Sequence, residues 1–349
     1  MSFNKSLFKN KLSFKKTNAV FALMTLPLMY STAQELAKSS PAGFGVYEAV
    51  INPADQHIYV TGAGTRTTPG GALYKINPTS LAIVDSIKMT EHPPYGIGLN
   101  SKTQIAYTTN TRTNRVSVLD LKTGKVINTI SHGQEKSHTR EVLVDEVNNL
   151  VYISDVGDPS SIWVIDGKTN TFSHLIENVG NMTTGMAFLN DKEHIYVTNM
   201  GENAVAVVNT KTKKVERSFP SGGESPVNIA SDGKHLFVTN QKSGDVTVLD
   251  KDGKLLKRIE TGAGALGITY DAVKNRIYVA NRQAGTTSVI DAKSWTVLKN
   301  IETGSHPNHV KVDPKTGVAY VVNKAKTIKV EAGAPPQVDP HGDTISKIN

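Results

Sequence analysis

One short phrase recurs seven times along this chain, and its spacing restricts the fold more than any other property of the sequence. An aromatic residue is followed by small or β-branched residues and then by a polar or small one. The copies are Tyr59-Val-Thr-Gly62, Tyr107-Thr-Thr-Asn110, Tyr152-Ile-Ser-Asp155, Tyr196-Val-Thr-Asn199, Phe237-Val-Thr-Asn240, Tyr278-Val-Ala-Asn281 and Tyr320-Val-Val-Asn323. The intervals are 48, 45, 44, 41, 41 and 42 residues. Each copy is followed by an alternating β-branched stretch that ends in Asp or Asn, as in Val116-Ser-Val-Leu-Asp120 and Ile162-Trp-Val-Ile-Asp166. A turn and a further extended stretch come next, as in Lys122-Thr-Gly-Lys-Val-Ile127. Four short strands per repeat, with no apolar period of 3.6, is the pattern of a propeller blade and not of a helical solenoid. The chain is expected to be all-β, a seven-bladed β-propeller in a single domain over residues 34–349.

The seventh repeat stops at Asn349 on its third strand, so its outermost strand must come from elsewhere. Residues Gln34 to Ser40 stand ahead of the first strand of the first repeat. Pairing them with the last blade closes the ring and removes an open edge that invites aggregation. Within the seventh repeat, residues 324–343 form an irregular insertion in which Pro335, Pro336 and Pro340 forbid regular pairing.

At the N-terminus Lys5, Lys9, Lys11, Lys15 and Lys16 precede an apolar run from Ala19 to Tyr30, and Ser31-Thr32-Ala33 follows. A basic region, an apolar stretch too short to span a bilayer and small residues for cleavage make residues 1–33 a secretory signal peptide, with no membrane span left after its removal. The formal charge of +8 must be corrected for that segment, because cleavage after Ala33 removes five lysines and leaves 34 basic against 31 acidic residues. A case for a polyanionic partner therefore rests on where the cations sit, not on their number. The absence of cysteine excludes disulfides, thiolate metal sites and cysteine nucleophiles.

The Tyr-Val-Thr-Asn phrase is that of the YVTN family of β-propeller repeat proteins, and the chain resembles the YncE-like periplasmic members of that family. More specific strings carry the resemblance: Gly71-Ala-Leu-Tyr-Lys-Ile-Asn-Pro78, Ser161-Ile-Trp-Val-Ile-Asp-Gly167, Met182-Thr-Thr-Gly185, Arg282-Gln-Ala-Gly285 and Ser288-Val-Ile-Asp-Ala-Lys-Ser294, with His306-Pro-Asn308 in the seventh repeat. The resemblance implies a soluble periplasmic protein of a kind not known as an enzyme, with single-stranded DNA binding as the associated activity, and no cofactor is expected. The near-neutral mature charge and the insertion at 324–343 depart from that pattern.

In a propeller the connection into the innermost strand and the loop after the second strand emerge on one face, around the mouth of the central channel. Residues at equivalent repeat positions therefore meet in a ring. After the second strand the cations are Arg66, Arg112, Arg115, Lys242, Arg282, Lys324 and Lys326; before the inner strand they are His92, Lys136, His138 and Arg140. Phosphates need such cations, and unpaired bases need flat surfaces on which to stack. Tyr47 and Tyr95 align with Arg140 and are the stacking candidates, while Asn308 adds a polar contact. The expected ligand site is Arg66, Arg112, Arg140, Arg282, Lys324, Tyr47, Tyr95, His138 and Asn308. Arg140 and Arg282 lead it, since a guanidinium offers both a fork for phosphate and a stacking plane.

Two other readings stand beside this one. The cations are solvated loop tips paired with Glu91, Glu135, Asp158, Glu202, Glu224 and Asp245, and the propeller is a protein-binding scaffold in the cell envelope. Alternatively Glu48, Glu141 and His309, one position further along the inner strands, gather round the pore as a metal or acid–base site, as in lactonase-like hydrolases on similar propellers. Gly262-Ala-Gly264 with Gly267 spells a dinucleotide-binding string, but no helix follows it, and a turn is the expected structure.

Overall fold

Each repeat becomes one four-stranded antiparallel sheet, and seven such sheets form a seven-bladed β-propeller. The computed structural model of the chain describes residues 1, 34–65, 68–133, 137–157, 159–328 and 338–349. The expected leader, Arg66, Lys136, Glu135, Asp158 and the middle of the insertion lie outside the described residues. The propeller lies wholly in the unit Gln34–Asn349.

The innermost strands are Val46–Ile51, Ile97–Asn100, Thr139–Asp145, Thr183–Phe188, Pro226–Ser231, Ala265–Asp271 and His306–Val312. The recurring phrase lies on the second strand of every blade. There both faces are covered by neighbouring blades, so these strands are apolar or small almost throughout, and Tyr107, Phe237 and Tyr278 are fully buried. The core belongs to the gaps between blades: Tyr320, Val322 and Ile345 of the last blade pack with Val46, Ile58 and Val60 of the first.

The threonine of the phrase has a mechanical role. An irregularity at the start of the inner strand leaves a backbone N–H out of the ladder, and the second-strand hydroxyl accepts from it. Thr61 Oγ1 accepts from Glu48 N (3.0 Å), Thr109 from Gly96 (2.8 Å), Ser154 from Glu141 (3.0 Å), Thr198 from Gly185 (2.8 Å) and Thr239 from Asn228 (3.1 Å). Four of these hydroxyls then donate to a carbonyl on, or just ahead of, the inner strand of the next blade: Tyr95, Arg140, Val227 and Leu266. One buried group thus satisfies an orphan donor and an orphan acceptor and joins two blades. On the opposite face the tyrosine hydroxyls make the complementary tie, Tyr107 to Asn170, Tyr196 to the Lys251 carbonyl and Tyr320 to the Pro78 carbonyl.

The ring closes as the sequence requires. Leu36–Pro41 pairs antiparallel with Thr344–Ile348, giving the last blade its fourth strand from the other end of the chain. The paired segment ends at Pro41, one residue beyond the expected Ser40. Gln34 is buried just ahead of it and accepts from the Tyr278 hydroxyl (2.8 Å). At the root of the insertion Asp339 accepts from Ser305 and Lys326, and Asp343 accepts from Gly45, Val46 and Ala325.

Candidate functional site at the channel mouth

The irregular start of the inner strands decides which side chains reach the channel mouth. Register shifts between Val46 and Ala49, between Thr139 and Val142 and between Pro307 and His309 set two successive residues into one bulge, where a regular strand would turn one of them away. The first bulge residues form an upper tier, Tyr47, Arg140 and Asn308, joined by Tyr95 of the second blade. The second form a lower tier, Glu48, Glu141 and His309.

In the upper tier Tyr47 and Tyr95 meet edge to face, with ring centroids 5.0 Å apart at 72°. Arg140 Cζ lies 5.1 Å and Lys324 Nζ 5.0 Å from the centroid of Tyr47, and Arg112 Cζ lies 5.5 Å from that of Tyr95. Arg112 Nη1 also donates to the carbonyls of Ala63 and Thr65, both at 3.1 Å, which fixes its stem against the first blade. Arg282 donates to Asn308 Oδ1, and Asn308 Nδ2 donates to the Tyr47 carbonyl at 2.9 Å. Seven of the nine expected residues, drawn from blades one, two, three, six and seven, thus form one connected cluster. His138 is exposed, its backbone N–H held by Asp155 Oδ1 (2.7 Å), and none of the cluster's contacts includes its ring. Arg66 lies outside the described residues.

This cluster carries more positive charge than it neutralises. Burial, and after it Arg282, pushes the Lys324 ammonium down to about 8, with Arg112 and Arg140 adding to the effect and Asp343 opposing it. Arg282 is lowered by burial and by Arg140. The carboxylate nearest Arg140 is Glu141, with Nε and Oε1 3.7 Å apart, and Arg140 Nε is a buried donor without a hydrogen-bond acceptor. Elsewhere on the rim Lys242 pairs with Glu224 at 2.7 Å, both exposed, as solvated loop tips would, whereas Arg258 of an outer strand pairs with the buried Asp245 at 2.9 Å.

In the lower tier Glu48 and His309 each accept a backbone N–H. Buried Glu48 accepts from Ile97 N–H at Oε2 (3.2 Å), and its carboxyl is raised well above the usual range by burial, then by the charge of Glu141, with Arg140 and Lys311 opposing. It also hydrogen-bonds Glu141. His309 accepts from Ala49 N–H at Nδ1 (3.2 Å), and burial holds it neutral, with Lys311 and Arg140 reinforcing this. Among the described residues no three His, Asp or Glu side chains converge as metal ligands, so the expected grouping of Glu48, Glu141 and His309 does not assemble as a metal centre.

Sequence reasoning passed over Lys311 and Asp343. Lys311 lies two residues beyond His309 on the same inner strand, and extending the repeat alignment would have found it. Asp343 follows the insertion, where no other repeat has an equivalent, so nothing in the repeat pattern points to it.

Comparison with known proteins agrees with the architecture. The sequence profile of the family described as YNCE-like beta-propeller matches residues 73–275. The chain is similar to the proteins named uncharacterized protein YncE of Salmonella typhi, 31% identical over 183 residues covering 50% of this chain and 52% of that protein, and of Escherichia coli K12, 30% identical over 193 residues covering 53% and 54%. The chain spans about half the length of the curated relatives it matches.

Proposed function

The chain belongs to the YncE-like β-propeller family, and from that premise we propose that it is a non-enzymatic binding platform whose channel mouth takes a polyanion, with single-stranded DNA as the favoured partner. One observation carries this reading. Arg112, Arg140 and Lys324 gather on Tyr47 and Tyr95, Arg282 joins them through Asn308, and burial, with the charge of Arg282 after it, pushes Lys324 down to about 8. A protein maintains such mutual repulsion where an anionic ligand relieves it. The basic and apolar N-terminal segment supports export, and with it a periplasmic setting. Among the described residues no helix is long and apolar enough to cross a membrane.

The test is fluorescence anisotropy of a labelled single-stranded oligonucleotide, with duplex as competitor, at two salt concentrations. The expected result is saturable binding that prefers single strands, weakens steeply with salt and is lost in Arg140→Ala and Arg282→Ala. No binding at low salt overturns the proposal. The scaffold reading keeps its own support in the exposed aliphatics of the outer strands: Ile83, Val84, Val126, Ile127, Leu255 and Leu298.

A further inference from the structure

The shape of the cationic cluster bears on how an anionic chain would enter it. Tyr47 is 9% exposed and already carries Arg140 and Lys324 on its ring, so a base has no open face there on which to stack. Directly below, the inner strands are in close contact: a Cβ on Gly96 would lie 2.1 Å from the Arg140 carbonyl, and one on Gly267 would lie 2.8 Å from the Asn308 carbonyl. The lower tier adds two carboxyl groups that hydrogen-bond each other, Glu48 and Glu141, the second 3.7 Å from Arg140 Nε. Joined through Tyr47, Tyr95 and Asn308, the four cations therefore form one compact socket with carboxyl groups beside it.

Two buried nitrogens at this level have no hydrogen-bond partner, Arg140 Nε and His306 Nδ1. His306 lies within the field of Arg282, Lys324 and Lys326. Four cations meet two carboxylates, Glu141 beside Arg140 and Asp343 acting on Lys324, while burial raises the third carboxyl, that of Glu48. The excess suits a ligand group bearing two negative charges on one compact, multiply accepting head. An internal phosphodiester carries one charge and is flanked on both sides by sugar; a terminal phosphate carries close to two and is free on three sides.

We infer that the socket formed by Arg112, Arg140, Arg282 and Lys324 receives the terminal phosphate of a nucleic acid strand end-on, with the rest of the strand leaving over the rim. This rests on the polyanion reading above and adds to it the group that is recognised. A free phosphomonoester has the same chemistry and competes for the same place.

The experiment compares one single-stranded oligonucleotide with a 5′-phosphate, a 3′-phosphate or two hydroxyl ends, labelled internally, with a 5′-mononucleotide as competitor. The expected result is that one phosphorylated end binds about tenfold more tightly than the hydroxyl form. That preference disappears in Lys324→Met, is reduced in the charge-keeping Arg282→Lys, and is erased in the native protein by excess mononucleotide, while thermal melts show both variants folded. Equal affinity for all three oligonucleotides overturns end recognition and leaves the polyanion platform standing. Failure of all three to bind overturns both.

Discussion

Asn308 donates its side-chain amide to the Tyr47 carbonyl across the seam between the last blade and the first (2.9 Å), in the position that a second-strand hydroxyl serves at four other seams. The seventh copy of the repeated phrase reads Tyr320-Val-Val-Asn323, so Val322 has no hydroxyl to offer, and the amide reaches in from the neighbouring inner strand. The same side chain accepts from Arg282. Asn308 therefore joins the closure of the ring to the cationic cluster.

Replacing it separates the two roles. Asn308→Ala leaves a buried carbonyl unpaired and is expected to cost about 1–2 kcal/mol in urea denaturation. Asn308→Asp keeps an acceptor for Arg282 but sets a second negative charge beside any bound anion. Its oligonucleotide affinity should fall below that of the alanine variant, although it retains more polar contacts. The reverse order would show that Asn308 acts only in closure.

The hydroxyl latches predict a contrast between blades. Thr109 accepts from Gly96 N–H and donates to the Arg140 carbonyl, both at 2.8 Å, so Thr109→Val leaves two buried groups unsatisfied at nearly constant volume and should cost about 1–3 kcal/mol. Ala280, at the same place in the sixth blade, already lacks the hydroxyl. Thr239→Val should resemble Thr109→Val, whereas Ala280→Val, which deletes no hydrogen bond, should lack this loss and register only the fit of two added methyls. Equilibrium unfolding of the three variants decides it.

The propeller was legible because its signal is repeated: seven copies at nearly constant spacing constrain the fold more strongly than any one copy. The closing strand followed by subtraction, since a blade that ends at its third strand needs a fourth. The ring of upper-tier residues was legible for the same reason, and Tyr47, Arg140 and Asn308 are aligned in the sequence before they meet in space. Opaque to the sequence were the contacts that depend on how close the blades come. Nothing in the spacing says that Arg140 and Lys324 would take up the ring of Tyr47, or that Ala49 N–H would claim His309 Nδ1. Asp343 was hidden because the insertion breaks the repeat register.

Closure by the N-terminal strand can be tested by deletion. Removing residues 34–42 takes away the strand Leu36–Pro41, the buried Ala42 and the Gln34 contact with Tyr278, and it leaves Thr344–Ile348 as an open edge. The melting temperature should fall by about 10 °C or more, and the protein should become prone to association. An unchanged melt would show that the ring holds without this strand.

Glu48 gives stability a dependence on pH with a definite sign. Its folded carboxyl is raised by burial and by Glu141, so the folded state holds a proton that the unfolded state releases. That contribution is complete below the unfolded value and is lost as pH rises through the folded one. Glu48→Gln preserves the acceptor for Ile97 N–H and a donor toward Glu141 without a titrating proton. The variant should match the native protein near pH 4.5 and exceed it at pH 8 by about 1 kcal/mol or more. Parallel urea curves at the two pH values would remove Glu48 from the account.

Lys324 is the cation in the cluster whose charge changes within reach of ordinary buffers. Its ammonium is pushed down to about 8, so the free site keeps full charge below that pH and loses one charge above it. The groups that act on it are the guanidiniums of Arg282, Arg112 and Arg140 on one side and the Asp343 carboxylate on the other, and Lys324 is the group expected to set the profile. Affinity for an oligodeoxyadenylate, whose bases do not lose protons in this range, should be level from pH 6.5 to about 7.5 and fall by up to about tenfold for each unit above 8. Below pH 6.5 protonation of His306, itself lowered by burial and by Arg282, should add to binding. Lys324→Arg replaces the titrating ammonium with a guanidinium that holds its proton throughout. Its affinity should stay level up to pH 9.5, whereas a native protein with the same level profile would show that Lys324 is not in contact with the bound anion.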